Sequence, residues 1–242
     1  GNGTSRNIEC GFQPDFVWIK SSSFGRNHYL YDSTRGVNDQ ILTNTNQAEA
    51  TNADRMTAFN STSFTVGTSS ETNNNGETYV AWCWKANGGT TSSNSDGTNI
   101  TSTVQANTDA GFSIVKWTGD GNASSTVGHG LSAAPNMVIS KDLSATADWQ
   151  VYSSEAGSSK KYGGHINTNA AFNTSAGTNG GWNTPTSTAL TFSNGSSTIN
   201  NVNKSSSNII AYCFTDIESY SKFGSYTGNG SANGPIVETG FE

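Results

Sequence analysis

Tyr79-Val-Ala-Trp-Cys-Trp-Lys-Ala86 and Ile209-Ile-Ala-Tyr-Cys-Phe-Thr-Asp216 are one stretch written twice. Small residues answer small ones, aromatics answer aromatics, and Ala81-x-Cys83 answers Ala211-x-Cys213. In an extended strand every second residue shares a face. Val80, Trp82 and Trp84 therefore line one side, and Ala81 and Cys83 the other. Ile210, Tyr212 and Phe214 repeat the first side, and Ala211 and Cys213 the second. A strand apolar on both faces is central in its sheet or covered on both sides. The pair predicts two sheets, one from each copy of a repeated module.

The repeat extends outward from these strands. Ser61-Thr-Ser-Phe-Thr-Val66 matches Ser187-Thr-Ala-Leu-Thr-Phe192, and Gly11-Phe-Gln-Pro-Asp-Phe-Val-Trp-Ile-Lys20 matches Gly130-Leu-(Ser-Ala)-Ala-Pro-Asn-Met-Val-Ile-Ser-Lys141. Trp117-Thr-Gly-Asp-Gly121 returns as Tyr226-Thr-Gly-Asn-Gly230, and Gly1-Asn-Gly3 repeats its end. Copies open at Gly11, Gly130 and Gly240. The period is far longer than the roughly 20–50 residues of a solenoid unit, so each copy can own a core. A chain of 242 residues, at roughly 100–150 per domain, also predicts two.

The expected layout is residues 1–10 as the tail of a preceding repeat or a connector, and 11–110 as the first β-sandwich. Residues 111–129 follow as a connecting strand and turn, 130–220 as the second sandwich, and 221–242 as a connector and the start of a third copy. Phe112-Ser-Ile-Val-Lys-Trp117 and its turn recur at 223–238, so this element belongs to the repeat, as its last strand or a hairpin connector. Contact between consecutive copies through it is an expectation. The stop at Gly240-Phe241-Glu242 predicts a longer parent polypeptide.

Residues 16–20, 28–31, 64–66, 137–141, 149–152 and 190–192 read as further short strands. Asn- and Gly-rich turns such as Asn73-Asn-Asn-Gly-Glu77 and Asp96-Gly97 separate them. Residues 48–59 lack helical periodicity and read as a loop or a single turn. The fold class is all-β, two tandem β-sandwiches.

Charged residues are 12% and the net charge is −6 with no Lys/Arg cluster, which argues against nucleic acid, since neutralising phosphates needs a basic stripe. No apolar run approaches the roughly 18 residues of a spanning helix, so no membrane insertion is expected. Cys83 and Cys213 hold equivalent places in different copies, which predicts buried thiols rather than a bridge between them. Cys10 and Cys83 are the one pair that a bridge could join.

Catalytic spacing is absent. His28, His129 and His165 form no HxH or HExxH, and no G-x-S-x-G elbow or P-loop occurs. Asp216-Ile-Glu218 is the nearest approach to a glycosidase carboxylate pair, and Asp96, Asn99 and Asp120 the nearest to a calcium loop. Both read more simply as solvated loop residues, so no catalytic residue, cofactor or metal is expected. The tryptophans could stack on sugar rings, but most lie in strands and are replaced by Ile, Tyr or Phe in copy two, as core positions are. Trp182 lies in Asn179-Gly-Gly-Trp-Asn183 and is the aromatic expected to be exposed. Trp182, Asn179 and Asn183 are the candidate glycan contact.

Gly11-Phe-x-Pro-x-Phe-Val-Trp-Ile-Lys20, Tyr31-Asp-Ser-Thr-Arg-Gly36, Phe64-Thr-Val-Gly67, Tyr79-Val-Ala-Trp-Cys-Trp-Lys85 and Tyr226-Thr-Gly-Asn-Gly230 form a specific combination, and the resemblance they carry covers nearly the whole chain. They resemble a repeat of marine bacteriophage virion structural and tail-fibre-like proteins. The resemblance implies concanavalin/laminin-G-type jelly rolls and carries no catalytic motif. Copy two departs from it at Met137-Val-Ile139 and Ser153-Ser-Glu-Ala-Gly157, so a ligand site built from Trp18, Asp32 or Arg35 is not expected in both copies. It implies a non-enzymatic virion surface component, a fibre, spike or decoration segment. Its partners would be other virion proteins, further copies of itself (a trimer by analogy) and a host surface glycan. A bacterial surface adhesin or filament subunit fits the repeats equally, and a jelly-roll polysaccharide-degrading enzyme would need Asp216 and Glu218.

Overall fold

The computed structural model of the chain describes residues 1–155, 163–172, 181–193 and 202–241. The first part runs β1 (Arg6–Glu9), β2 (Phe16–Ser21), β3 (Tyr29–Asp32), β4 (Asp39–Leu42), β5 (Ala50–Thr51), β6 (Met56–Phe59), β7 (Ser63–Val66), the single turn α1 (Ser70–Asn73) and β8 (Tyr79–Trp84). Then come β9 (Ser92–Asn94), β10 (Asn99–Ile100), β11 (Ser102–Asn107), β12 (Phe112–Thr118) and β13 (Thr126–Gly128). β14 (Met137–Asp142), β15 (Gln150–Ser153), β16 (Ala189–Thr191) and β17 (Asn208–Phe214) complete the described strands. The protein is nearly all-β.

Two large sheets have the orders β5-β4-β3-β2-β8 and β15-β14-β17-β12-β11-β9, and two small ones β1-β7-β6 and β10-β13-β16. The sequence repeat is a repeat of register. Phe16, Val17 and Trp18 stand opposite Trp84, Cys83 and Trp82, as Met137, Val138 and Ile139 stand opposite Phe214, Cys213 and Tyr212.

Alternation along the strands creates three apolar layers. Val17 and Ile19 of β2 face Phe64 and Val66 of the first small sheet. Ile209, Ala211 and Cys213 of β17 and Val115 and Trp117 of β12 face Val127 and Leu190 of the second. The opposite faces meet each other. Phe16 and Leu30 from the first large sheet pack with Phe112, Ile114, Ile210, Tyr212 and Phe214 from the second. Small sheet, large sheet, large sheet and small sheet are therefore stacked in that order. Phe112 and Ile114 are wholly buried at the central junction, each stabilising by roughly 1.5–3 kcal/mol. Phe16 meets Trp84, Phe112 and Tyr212 edge-on with centroids 5.2, 5.9 and 4.9 Å apart, the arrangement that ring quadrupoles favour.

Polar ties cross the same junction. The Tyr212 hydroxyl donates to Asp32 Oδ2 at 2.6 Å, and Asp32 also accepts from Arg35 Nε at 2.5 Å. The Trp149 indole donates to the Leu42 carbonyl at 2.8 Å, and the Glu49 amide to the Leu143 carbonyl at 3.1 Å. Separating the sheets would break the Tyr212–Asp32 bond as well as expose apolar surface.

Some segments take roles that local sequence does not carry. Residues 48–59 supply strands β5 and β6 instead of a loop, because β4 and β7 offer edges for them to pair with. β12 lies inside the second large sheet, between β17 and β11, and β9 and β11 join it there. The change from the first large sheet to the second thus falls between Trp84 and Ser92, ahead of residue 110.

Candidate contact surface

Trp182 corrects the sequence reading. It is 3% exposed, bridged antiparallel to Phe192, with its ring 5.7 Å from Phe192 and 6.4 Å from Trp117. Neighbouring glycines signalled a loop, but a loop residue can still point inward, and this ring fills the layer under the second small sheet. Asn183 is exposed, yet its amide donates to the Phe192 carbonyl at 2.7 Å and so secures that bridge. Asn179 lies outside the described residues.

The remaining candidate polar groups are engaged internally. Asp216 accepts from Lys222 Nζ at 2.6 Å and from the Phe223 amide at 2.8 Å, while Glu218 is exposed. Asp120 accepts from Ser125, from the Asn122 amide and from Asn203, and its carboxyl is held below its ordinary value by those bonds against the opposing effect of burial. Asn99 donates to Ser125, and Asp96 accepts from Asn94. Asp32 and Arg35 are buried, and Arg35 reaches on to Glu49 at 2.9 Å. His129 is buried, accepts from the Leu131 amide at Nδ1 and lies 3.2 Å from the Thr186 carbonyl at Nε2; burial lowers its pKa. Among the described residues no three His, Cys, Asp or Glu side chains converge to hold a metal.

All three cysteines are thiols. Burial, and then the neighbouring Cys10, pushes the Cys83 thiol up to about 12, and burial does the same to Cys213. Neither forms a reactive thiolate near neutral pH.

The unusual surface lies along β8. β17 has β14 on one side and β12 on the other, whereas among the described residues β8 pairs with β2 alone. Ile210 and Tyr212 are 0% exposed, but their counterparts Val80 and Trp82 are 36% and 43% exposed. Trp82 leans on Trp18 at 5.5 Å, Trp18 lies 6.3 Å from His28, and Phe24 is exposed nearby in sequence. Burial, and secondarily Lys20, lowers the His28 pKa.

Beside β8, on its inner face, lies a cavity of 270 Å³ lined by Gly1, Ile19, Phe64, Val66, Tyr79 and Ala81. In copy two the matching space holds an indole. Trp117 stands opposite Ile209, the counterpart of Tyr79, and lies 6.4 Å from Phe192, the counterpart of Val66. The turn that follows Trp117 has its own double at the cavity mouth. Gly121 donates to the Asn203 carbonyl at 2.8 Å and Gly3 to that of Asn73 at 2.7 Å. The Asp120 amide donates to Asn203 Oδ1 at 3.2 Å, and that of Asn2 to Asn73 Oδ1 at 3.1 Å. A Cβ on Gly119 or Gly1 would stand 2.2 Å from the carbonyl of Lys204 or Asn74, so only glycine fits either place.

Layered antiparallel β-sheets, consistent with a β-sandwich, define the class of this protein. The chain belongs to the family described as a domain of unknown function (DUF7483), whose model matches residues 1–242 and so takes in both copies of the repeat. No curated protein and no solved structure matches it.

Proposed function

We propose that this chain is a non-enzymatic structural module of a bacteriophage virion surface, a segment of a fibre, spike or decoration. The observation that carries this reading is the use of chemistry-capable side chains as internal ties. Asp32, held by Arg35, accepts from Tyr212 across the two large sheets, Asp120 anchors a turn, Asp216 holds the chain after β17, and His129 is hydrogen-bonded inside the fold. A low-charge surface on rigid stacked sheets suits a passive scaffold that works by repetition, since linked copies raise avidity without any strong single site. The resemblance of the strand motifs to phage fibre-like repeats supplies the particular setting. Contact with a glycan through Trp182 is no part of the proposal, because that ring has no free face.

Gold-labelled antibody against this chain, applied to purified phage particles and to host cells, tests the reading. Label on capsids, tails or fibres is the expected result. Label confined to filaments on the cell surface would replace it with the adhesin reading. Hydrolysis of host polysaccharide that is abolished by Asp216→Asn would overturn the non-enzymatic assignment.

A further inference from the structure

We propose that Cys10 and Cys83 form a reversible disulfide that fastens the chain at the end of β1 to β8 across the first interior layer. The inference rests on these two side chains and not on the proposed virion setting.

Both thiols belong to one layer. Alternate residues of an extended strand share a side, so Cys10 continues the side that Ile8 occupies. The Cys10 amide donates to the Thr62 carbonyl at 3.0 Å, so the chain still follows β7 there. Ile8 and Ala81 line the same space, and Cys10 and Cys83 each stand two residues further along their strands. Cys83 packs in that layer and stands opposite the wholly buried Val17.

The two thiols meet. Burial raises the Cys83 pKa, and Cys10 raises it further through its charge and a side-chain hydrogen bond. Both cysteines are half-buried, within reach of a small oxidant. Copy two has no such pair. His129 precedes Gly130 where Cys10 precedes Gly11, and Cys213 is wholly buried opposite Ser113 of β12.

The chemistry balances with a low-molecular-weight disulfide as oxidant. Cys10 is the point of entry, because Cys83, with its pKa near 12, stays protonated at neutral pH. The Cys10 thiolate attacks one sulfur of glutathione disulfide, forms a mixed disulfide and releases one glutathione. Cys83 then attacks the Cys10 sulfur and expels the second glutathione, which takes up the Cys83 proton. Two protein thiols are oxidised, and one glutathione disulfide is reduced to two thiols. Among the described residues β1 pairs with β7 alone. The new bond ties the small sheet to the large one and closes a loop of about 70 residues, which restricts the unfolded chain.

Equilibration of the folded chain with glutathione disulfide tests the proposal. The intact mass should fall by two hydrogens with no glutathione retained. Peptide mapping without reductant should join the peptides of Cys10 and Cys83 and leave Cys213 free. The urea midpoint should rise on oxidation, return with dithiothreitol, and stay put in Cys10→Ser and Cys83→Ser treated alike. Three thiols that survive equilibration overturn the inference. So do glutathione retained on Cys10, a link to Cys213, a disulfide between two chains, or a bond that forms without raising the midpoint.

Discussion

β8 and β17 are near-copies in sequence and equals in register, yet one ends as a half-open edge and the other as the closed centre of a sheet. Their inner faces differ little, with Ala81 and Cys83 matching Ala211 and Cys213. Their outer faces carry the same kind of bulk. The difference comes from a third party, because β12 lies along the second side of β17, whereas among the described residues no strand lies along the second side of β8. Trp117 enters one interior layer, while 270 Å³ stays open at the equivalent place in the other. Burial of a strand residue is thus a property of the neighbouring strand as much as of the residue.

The largest effect that this contrast predicts is at Trp117. Trp117→Ala empties a filled site and should cost about 3–5 kcal/mol in chemical denaturation. Tyr226→Ala, at its exposed counterpart, should stay within about 0.5 kcal/mol. Equal losses at the two sites would break the comparison.

Tyr212→Phe comes next. It removes the hydroxyl that donates to buried Asp32 and leaves that carboxylate one bond short, which should cost about 1–3 kcal/mol. Trp82, at the equivalent position, makes no such tie. Trp82→Ala should cost the least, about 1 kcal/mol or less, because the ring is already 43% exposed. A loss at Trp82 as large as that at Tyr212 would mean that the monomer already buries the β8 edge.

Lysine offers a pH test of the same pair. Lys141 is buried on β14, where its ammonium donates to the carbonyls of Asp142 and Ala145, while its counterpart Lys20 on β2 is half-buried. Burial lowers the Lys141 pKa from 10.5 to about 8, against the pull of Asp142 and Asp148. Between those values the unfolded chain binds more protons than the folded one, so this group makes stability rise as pH climbs from about 8 to 10.5. The Cys83 and Cys213 thiols act in the opposite sense above about 9, so the comparison is with the variant: as pH climbs from about 8 to 10.5 the wild type should gain stability relative to Lys141→Met. Identical profiles would show that the ammonium is not desolvated.

Much of the fold was legible because period-two patterning is local. Residues 16–20, 79–84, 112–117, 137–141 and 209–214 lie on strands, Lys85 and Thr215 falling just past their ends, and the repeat located their equivalents. Residues 48–59 were not legible, since β5 and β6 owe their form to edges supplied by β4 and β7. Trp182 misled for a related reason. Glycine neighbours report backbone freedom, not the direction of a side chain. Trp82 was the reverse case, a strand tryptophan read as core, although no strand covers its outer side.

The amino-acid sequence by itself determined the repeat, the all-β class and the two-faced character of β8 and β17, because alternation and turn chemistry act over a few residues. The tertiary structure alone decided that the two large sheets meet face to face, that Asp32, Arg35 and Tyr212 form one buried tie, and that β12 completes one sheet while β8 stays open. Those outcomes depend on contacts between residues far apart in the chain, as with Tyr212 and Asp32, and no local pattern encodes them.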